Sequence, residues 1–310
     1  MNVVALAGGV GGAKLADGLA QVLPHPDLTI IVNTGDDFVH LGLKICPDLD
    51  TVCYTLAGLA NPATGWGRAG ETWQALETLG ELGGPTWFRL GDRDLGLHLE
   101  RTRRLNEGAS LSEITRLICR AWGIGPQVLP MSDEPAPTWV DTDEGTLAFQ
   151  EYFVHRQCRP HVTGFRLTEA GDAAPAPGVL DALLRADLVV FCPSNPWVSL
   201  DPILAVAGVR SALAGLPVVA VSPIIGGQTV KGPAAKMYQE MGIEPSPLAV
   251  GRHYQDLLSG LVIDNIDRDF SPALNTLGIQ TLTTQTIMHT PDDRRHLAAQ
   301  VLDFGSKFKM

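Results

Sequence analysis

An apolar, β-branched run that passes directly into glycines and then into helical periodicity leaves a chain few ways to fold. Residues 2–7, NVVALA, read as a strand, GGVGG (8–12) as a turn, AKLADGLAQVL (13–23) as a helix, and LTIIVN (28–33) as a second strand. Together they make a βαβ unit. The continuous apolar pattern returns in DLVVFC (187–192), PVVAVS (217–222) and LVIDN (261–265), as expected of strands covered on both faces. Helical stretches lie between them, ILAVAGVRSALAG (203–215) and GPAAKMYQEMG (232–242). The fold class expected is therefore α/β, a Rossmann-like, doubly wound, mostly parallel sheet, with ligands at the carboxyl ends of its strands. Residues 1–310 are expected to form one such domain. Pro- and Gly-punctuated alternation over about 125–165 predicts a small inserted α+β lobe of short antiparallel strands, and TEAGDAAPAPG (168–178) reads as a surface linker back to the core.

Composition narrows the partners. The net charge of −11 lacks the basic footprint that nucleic acid or an anionic membrane would need. No stretch is long and apolar enough to span a bilayer, and no secretory leader is visible, so a cytoplasmic protein is expected. The five cysteines form no C-x-x-C pair and are expected to be reduced and mostly buried. A homodimer is the expected assembly for an enzyme of this size.

The chemistry-bearing stretches all fall at expected strand ends. GGVGGAKL (8–15) matches neither the dinucleotide fingerprint, whose third glycine is replaced by Lys14, nor the P-loop, where Ala13 replaces a glycine and Leu15 the hydroxyl. The physics common to both motifs remains: Gly8, Gly9, Gly11 and Gly12 let backbone amides approach an anion at a helix N-terminus. A plain tight turn is the alternative. NTGDDFVHLGLKICPDLDT (33–51) carries two aspartate pairs, Asp36/Asp37 and Asp48/Asp50. With no P-loop hydroxyl present, Asp37, Asp48 and Asp50 are the candidate ligands for a hard cation such as Mg²⁺, although PDLD would also serve as a helix cap. FRLGD places Arg89 and Asp92 where a loop could present both, while the later arginines of that stretch read as a salt-bridged helix surface. PSNP (193–196) offers Ser194 and Asn195 on a rigid turn, and Lys231 begins a helix where a cation needs an anionic partner. His155 and Tyr254 read as structural.

Taken together, GGVGGAKLADGL, NTGDDFVHLGLKICPDLDTVCYTLAG, WFRLGDRDLGLHLERTRRLNEGASLSEIT, LPMSD, FQEYFV, PSNPWVSLDPIL and VSPIIGGQTVKGPAAK resemble the CofD family, the 2-phospho-L-lactate transferases of coenzyme F420 biosynthesis. The likeness runs from residue 2 to about 265. It implies a Rossmann-like core, dependence on Mg²⁺, and transfer of a phosphorylated three-carbon acid from its guanosine diphosphate adduct to the deazaflavin alcohol Fo, with release of GMP. Carried over by motif, Asp50 and Arg89 would contact Fo, with Asn33 and Thr34 beside them. Asp50, Arg89 and Lys14 would be the catalytic set. The glycine loop, Lys14, Ser194, Asn195 and Lys231 would hold the donor. The acid itself, phospholactate, phosphoenolpyruvate or phosphoglycerate, is left open, and so is the choice of base or metal ligand for Asp50. A nucleotide-sugar-binding regulator of the YvcK type is the alternative from another class. An NAD-dependent oxidoreductase is disfavoured by Lys14 and by Asn33 at the end of strand two.

Overall fold

The computed structural model describes residues 1–308. Fourteen strands are labelled in chain order: β1 Val3–Ala7, β2 Leu28–Val32, β3 Phe38–His40, β4 Leu43–Ile45, β5 Gln127–Pro130, β6 Trp139–Thr142, β7 Gly145–Ala148, β8 Val162–Arg166, β9 Leu188–Phe191, β10 Val218–Val221, β11 Ile224–Ile225, β12 Gln228–Thr229, β13 Gly260–Asp264 and β14 Gln280–Thr284. Seven of them form one sheet in the order β14-β13-β10-β9-β1-β2-β5, and every neighbouring pair is parallel. Strand order reverses between β1 and β9, the crevice where open α/β sheets bind ligands.

The unbroken apolar runs follow from burial on both faces. Along β1, Val4 and Leu6 pack into one core while Val3, Ala5 and Ala7 pack into the other; β9 divides Val189 and Phe191 from Leu188 and Val190 in the same way. Each fully buried aliphatic side chain stabilises the fold by about 1.5–3 kcal/mol relative to exposure.

Helices α1 Gly9–Val22, α2 Pro47–Leu56 and α4 Asp92–Asn106 contribute side chains to the site, and α3 Gln74–Glu81 and α5 Leu111–Ala121 pack beside α4. A long helix near the C-terminus spans Pro291–Ser306 and is opened by a Thr290/Asp293 capping box. It packs on α1 so closely that a Cβ on Gly18 would lie 2.2 Å from the Arg294 carbonyl oxygen.

Three expectations need correction. Gln127–Pro130, placed in the inserted lobe, is an edge strand of the main sheet; the separate antiparallel sheet, β7-β6-β8, spans 139–166. The stretch 168–178 is not a loose linker, because it holds the helix Thr168–Asp172 and buries Ala170, Ala173 and Ala176. GGVGG is also more than a turn, since α1 starts at Gly9. β14 was missed, because QTLTT, at a sheet edge, holds a single apolar residue, Leu282, and so carries no apolar run.

Candidate functional site

The two aspartate pairs meet because the stretch between them folds back on itself. β3 and β4 form a hairpin, Phe38 opposite Ile45, closed by Leu41 and Gly42, both at positive φ. The hairpin returns the chain to α2, whose first turn carries Asp48 and Asp50. Asp36, Asp37, Asp48 and Asp50 are all buried or nearly so.

Each carboxylate has its own partner. Asp37 pairs with the Lys44 ammonium at 3.1 Å. Asp50 accepts from both terminal nitrogens of Arg101, one of them at 3.1 Å. Asp48 accepts the Gly9 N–H at 2.7 Å and the Asn33 amide at 2.9 Å. Asp36 accepts from Gln150 at 2.8 Å and, at 3.5 Å, from Asn33. Two of the four are matched by protein cations, and two are held only by neutral donors. Burial pushes the Asp48 carboxyl up to about 6, against the opposing hydrogen bonds from Asn33 and Gly9. Burial raises Asp36 well above the usual carboxylate range, with the Asp48 and Asp37 charges adding to the effect.

The glycines answer to close approach as much as to any ligand. Gly9 sits at φ +64, the left-handed region, as it turns from β1 into α1. A Cβ on Gly11 would lie 2.4 Å from the Pro193 carbonyl oxygen, and one on Gly12 would lie 2.8 Å from Ser194 Oγ. The loops after β1 and β9 are therefore interlocked across the crevice. Ser194 Oγ seals them, accepting the Gly8 N–H at 3.2 Å and donating to the Gly8 carbonyl at 2.9 Å.

Above this floor opens a cavity of about 820 Å³, within the range of sites for small molecules and cofactors. Gly8, Gly9, Gly11, Lys14, Asp48, Asp50, Arg89, Ser194, Asn195 and Lys231 line it. Lys14 Nζ donates to the Met288 carbonyl at 2.6 Å, and burial, with the Arg294 and Lys231 charges, lowers its pKa. Lys231 bonds the Thr64 carbonyl, joining two walls of the cavity. Arg89 lies over the Trp73 ring, its guanidinium carbon 4.4 Å from the centroid. Asn195 caps the following turn by accepting the Trp197 N–H at 3.1 Å.

Four expected residues stand off the cavity wall. Asn33 is fully buried, and its amide braces Asp36, Asp48 and the Val198 carbonyl. Thr34 is buried beside it, Gly12 is packed against Ala7 and Ser194, and Asp37 is taken by Lys44. Asp36 lines the cavity in place of Asp37. Asp92 is also directed elsewhere, to the Thr72 hydroxyl and the backbone amides that begin α3.

The opposite wall was not foreseen. Tyr54, Trp66, Trp87, Phe88, Phe149 and Phe153 contribute rings to it. Trp87 stacks on His155 at 4.8 Å and meets His40 edge-on at 5.1 Å, so His155 supports this wall. Tyr254 is structural as expected, its hydroxyl donating to Asp201 at 3.0 Å. Asp94 accepts the Tyr54 hydroxyl at 2.7 Å and is pushed up to about 6, chiefly by burial. His98 is lowered to about 4 by burial and, as a neutral ring, accepts from Arg101 at 3.2 Å. Arg101 had been read with the surface arginines of α4, yet it is almost wholly buried; a helical period that places residues 94, 98 and 101 on one face was the available signal.

Among the described residues, no three His, Cys, Asp or Glu side chains gather into a metal cage. Mg²⁺ does not require one, since it keeps several waters and takes one or two carboxylates plus phosphate oxygens. Asp36 and Asp48 fit that demand, being buried, on the cavity wall and without a protein counter-charge.

A Rossmann-like sheet with an anion-compatible helix start at its switch point, and a cavity there lined partly by aromatic rings, defines an α/β protein with a site for small phosphate-bearing ligands. The description "2-phospho-L-lactate transferase CofD" matches residues 3–280, and the chain belongs to that family of transferases. It is 43% identical to the phosphoenolpyruvate transferase of Streptomyces griseus over 100% of both chains. It is 45% identical to that of Kitasatospora aureofaciens, over 100% of this chain and 99% of the relative. The 2-phospho-L-lactate transferase of Methanosarcina mazei is 37% identical over 97% of this chain and 99% of its own. A crystal structure of a UPF0052-family protein from Bacillus halodurans superposes with a TM-score of 0.62 over 97% of this chain and 98% of its own. At 18% identity that likeness speaks for the fold alone. Among the described residues no helix is long and apolar enough to cross a membrane.

Proposed function

We propose that this enzyme transfers a phosphorylated three-carbon acid from its guanosine diphosphate adduct to the terminal ribityl hydroxyl of the deazaflavin Fo, releasing GMP, as a step in making coenzyme F420. The alcohol oxygen forms a bond to the phosphorus of the acid's phosphate. The bond from that phosphorus to the bridging oxygen breaks, GMP keeps the oxygen and its electron pair, and the hydroxyl proton passes to solvent. Phosphoryl transfer of this kind asks the protein mainly for position and charge neutralisation.

The observation that carries the proposal is the carboxylate held on the glycine loop: Asp48 on the Gly9 amide at 2.7 Å, on the floor of a cavity with an aromatic opposite wall. The start of α1, with Lys14 and Lys231, binds and orients the donor's phosphates. The ring wall and Arg89 hold the planar acceptor. Asp36 and Asp48 would hold Mg²⁺, which when bound would neutralise the diphosphate oxygens. Two relatives at 43% and 45% identity are named phosphoenolpyruvate transferases and one at 37% a 2-phospho-L-lactate transferase, which supports phosphoenolpyruvate as the group moved. The free cysteines, four of them buried, support work in the reducing cytosol.

The test offers Fo with each guanylylated acid, with and without Mg²⁺, and weighs the products by mass spectrometry. Metal-dependent formation of GMP and an Fo phosphodiester, fastest with the phosphoenolpyruvate adduct, is expected. Consumption of neither Fo nor donor would overturn the proposal, and tight binding of a nucleotide sugar without turnover would replace it with a regulatory role.

A further inference from the structure

The geometry points to Arg101 as the positioning residue for the acceptor alcohol, acting through Asp50; the inference rests on the function proposed above. Arg101 leaves α4 on the inner side while its neighbours Arg103 and Arg104 pair with Glu100 and Glu107 at the surface. Its side chain is completely buried. One terminal nitrogen meets Asp50 Oδ2 at 3.1 Å and the other meets Oδ1. The first nitrogen also reaches His98 Nδ1 at 3.2 Å and the Lys44 carbonyl at 3.4 Å. A planar fork fixed at two further points fixes the plane of the carboxylate it grips.

That grip decides what Asp50 can do. Each carboxylate oxygen has room for about two hydrogen bonds, and Arg101 takes one at each. The remaining acceptor positions belong to a side chain only 6% exposed, on the cavity wall. Paired with a buried guanidinium, Asp50 has no net charge to offer a dication, unlike Asp36 and Asp48 with their neutral donors. Asp50 is thus not a cation ligand. It accepts the acceptor's O–H, aiming the oxygen at phosphorus, and Arg101 holds that aim.

The experiment is a double-mutant cycle on Arg101→Met and Asp50→Asn, with Arg101→Lys and the surface variant Arg103→Ala alongside, each checked for its folding transition. Arg101→Met and Asp50→Asn are each expected to lose about 10²-fold in kcat/KM for Fo, the scale of a misplaced reacting group. The double variant is expected to be no worse than Asp50→Asn alone, because the two act as a unit. Arg101→Lys, which keeps the charge without the fork, is expected to fall between wild type and Arg101→Met. Donor KM and the Mg²⁺ concentration for half-maximal rate should be unchanged in all of them, and Arg103→Ala should match wild type. The double neutral variant also guards against misfolding, since it leaves no buried charge unpaired. Multiplicative losses in the double variant, or a raised Mg²⁺ requirement in Asp50→Asn, would overturn the inference with the proposed function intact. A wild-type protein that neither binds nor consumes Fo would overturn both.

Discussion

The floor and the far wall of the cavity are built on opposite plans. The floor is backbone: the amide of Gly9, the interlocked loops after β1 and β9, and a carboxylate locked onto a helix start. The wall is side chain: rings from α2, from the chain between α2 and β5, and from the stretch after β7, packed edge-on or stacked. A phosphate presents the same oxygens in every donor, so fixed amides suit it and leave little room for substitution. An apolar ring system can be gripped by many ring arrangements, so the wall is free to vary in sequence.

Gly11→Ala is the harshest test of that contrast. The added Cβ would sit 2.4 Å from a backbone oxygen that cannot swing aside. We expect a stability loss of about 1–3 kcal/mol from overpacking and a fall in turnover of about 10²-fold or more from displaced donor amides, measured by thermal unfolding and steady-state assay. An active, normally stable Gly11→Ala protein would break the idea of a rigid floor.

Asp48→Asn comes next, and it separates cation binding from packing. Burial raises the Asp48 carboxyl from 3.8 to about 6, so folding favours its protonated form relative to the unfolded chain. Its contribution to stability is complete below about pH 4 and is lost as pH rises through 6. A bound cation needs the ionised form, so the rise in Tm given by Mg²⁺ should be larger well above pH 6 than below it. In Asp48→Asn that pH-dependent gain should be strongly reduced, while Fo affinity in the absence of metal stays unchanged. An undiminished gain would move the cation elsewhere.

Phe153→Ala should have the mildest effect. The ring is 36% exposed and stacks on Phe149 at 5.3 Å, so its removal leaves the core intact. We expect KM for Fo to rise about 5- to 10-fold, the scale of one aromatic contact, with donor KM unmoved. A change in donor KM would mean that the two walls are not separate.

This division also explains what the sequence disclosed. Backbone-built features leave short, rigid signatures: the PSNP turn and the apolar strands were placed by periodicity and residue type, and the glycines at 8–12 marked the passage from β1 to α1, although the helix starts earlier, at Gly9. The partitioning of the carboxylates was not legible, because it depends on which cation folds back over each one. Asp36 and Asp37 are adjacent and chemically alike, yet a hairpin of three-residue strands delivers Lys44 to Asp37 and leaves Asp36 to Gln150, over a hundred positions away. Arg101 belonged to a run whose other members are exposed, and only tertiary packing separates it from Arg103. The ring wall draws its six residues from four separate stretches, at 54, 66, 87–88 and 149–153, which no local pattern connects.

Lys14 bonds the Met288 carbonyl, and α1 lies against the helix Pro291–Ser306 with no space for a side chain at Gly18. The helix that opens at the glycine loop is therefore braced by chain more than 270 positions further on. Loosening the helix Pro291–Ser306 would shift Lys14 and the glycine loop without altering any side chain on the cavity wall.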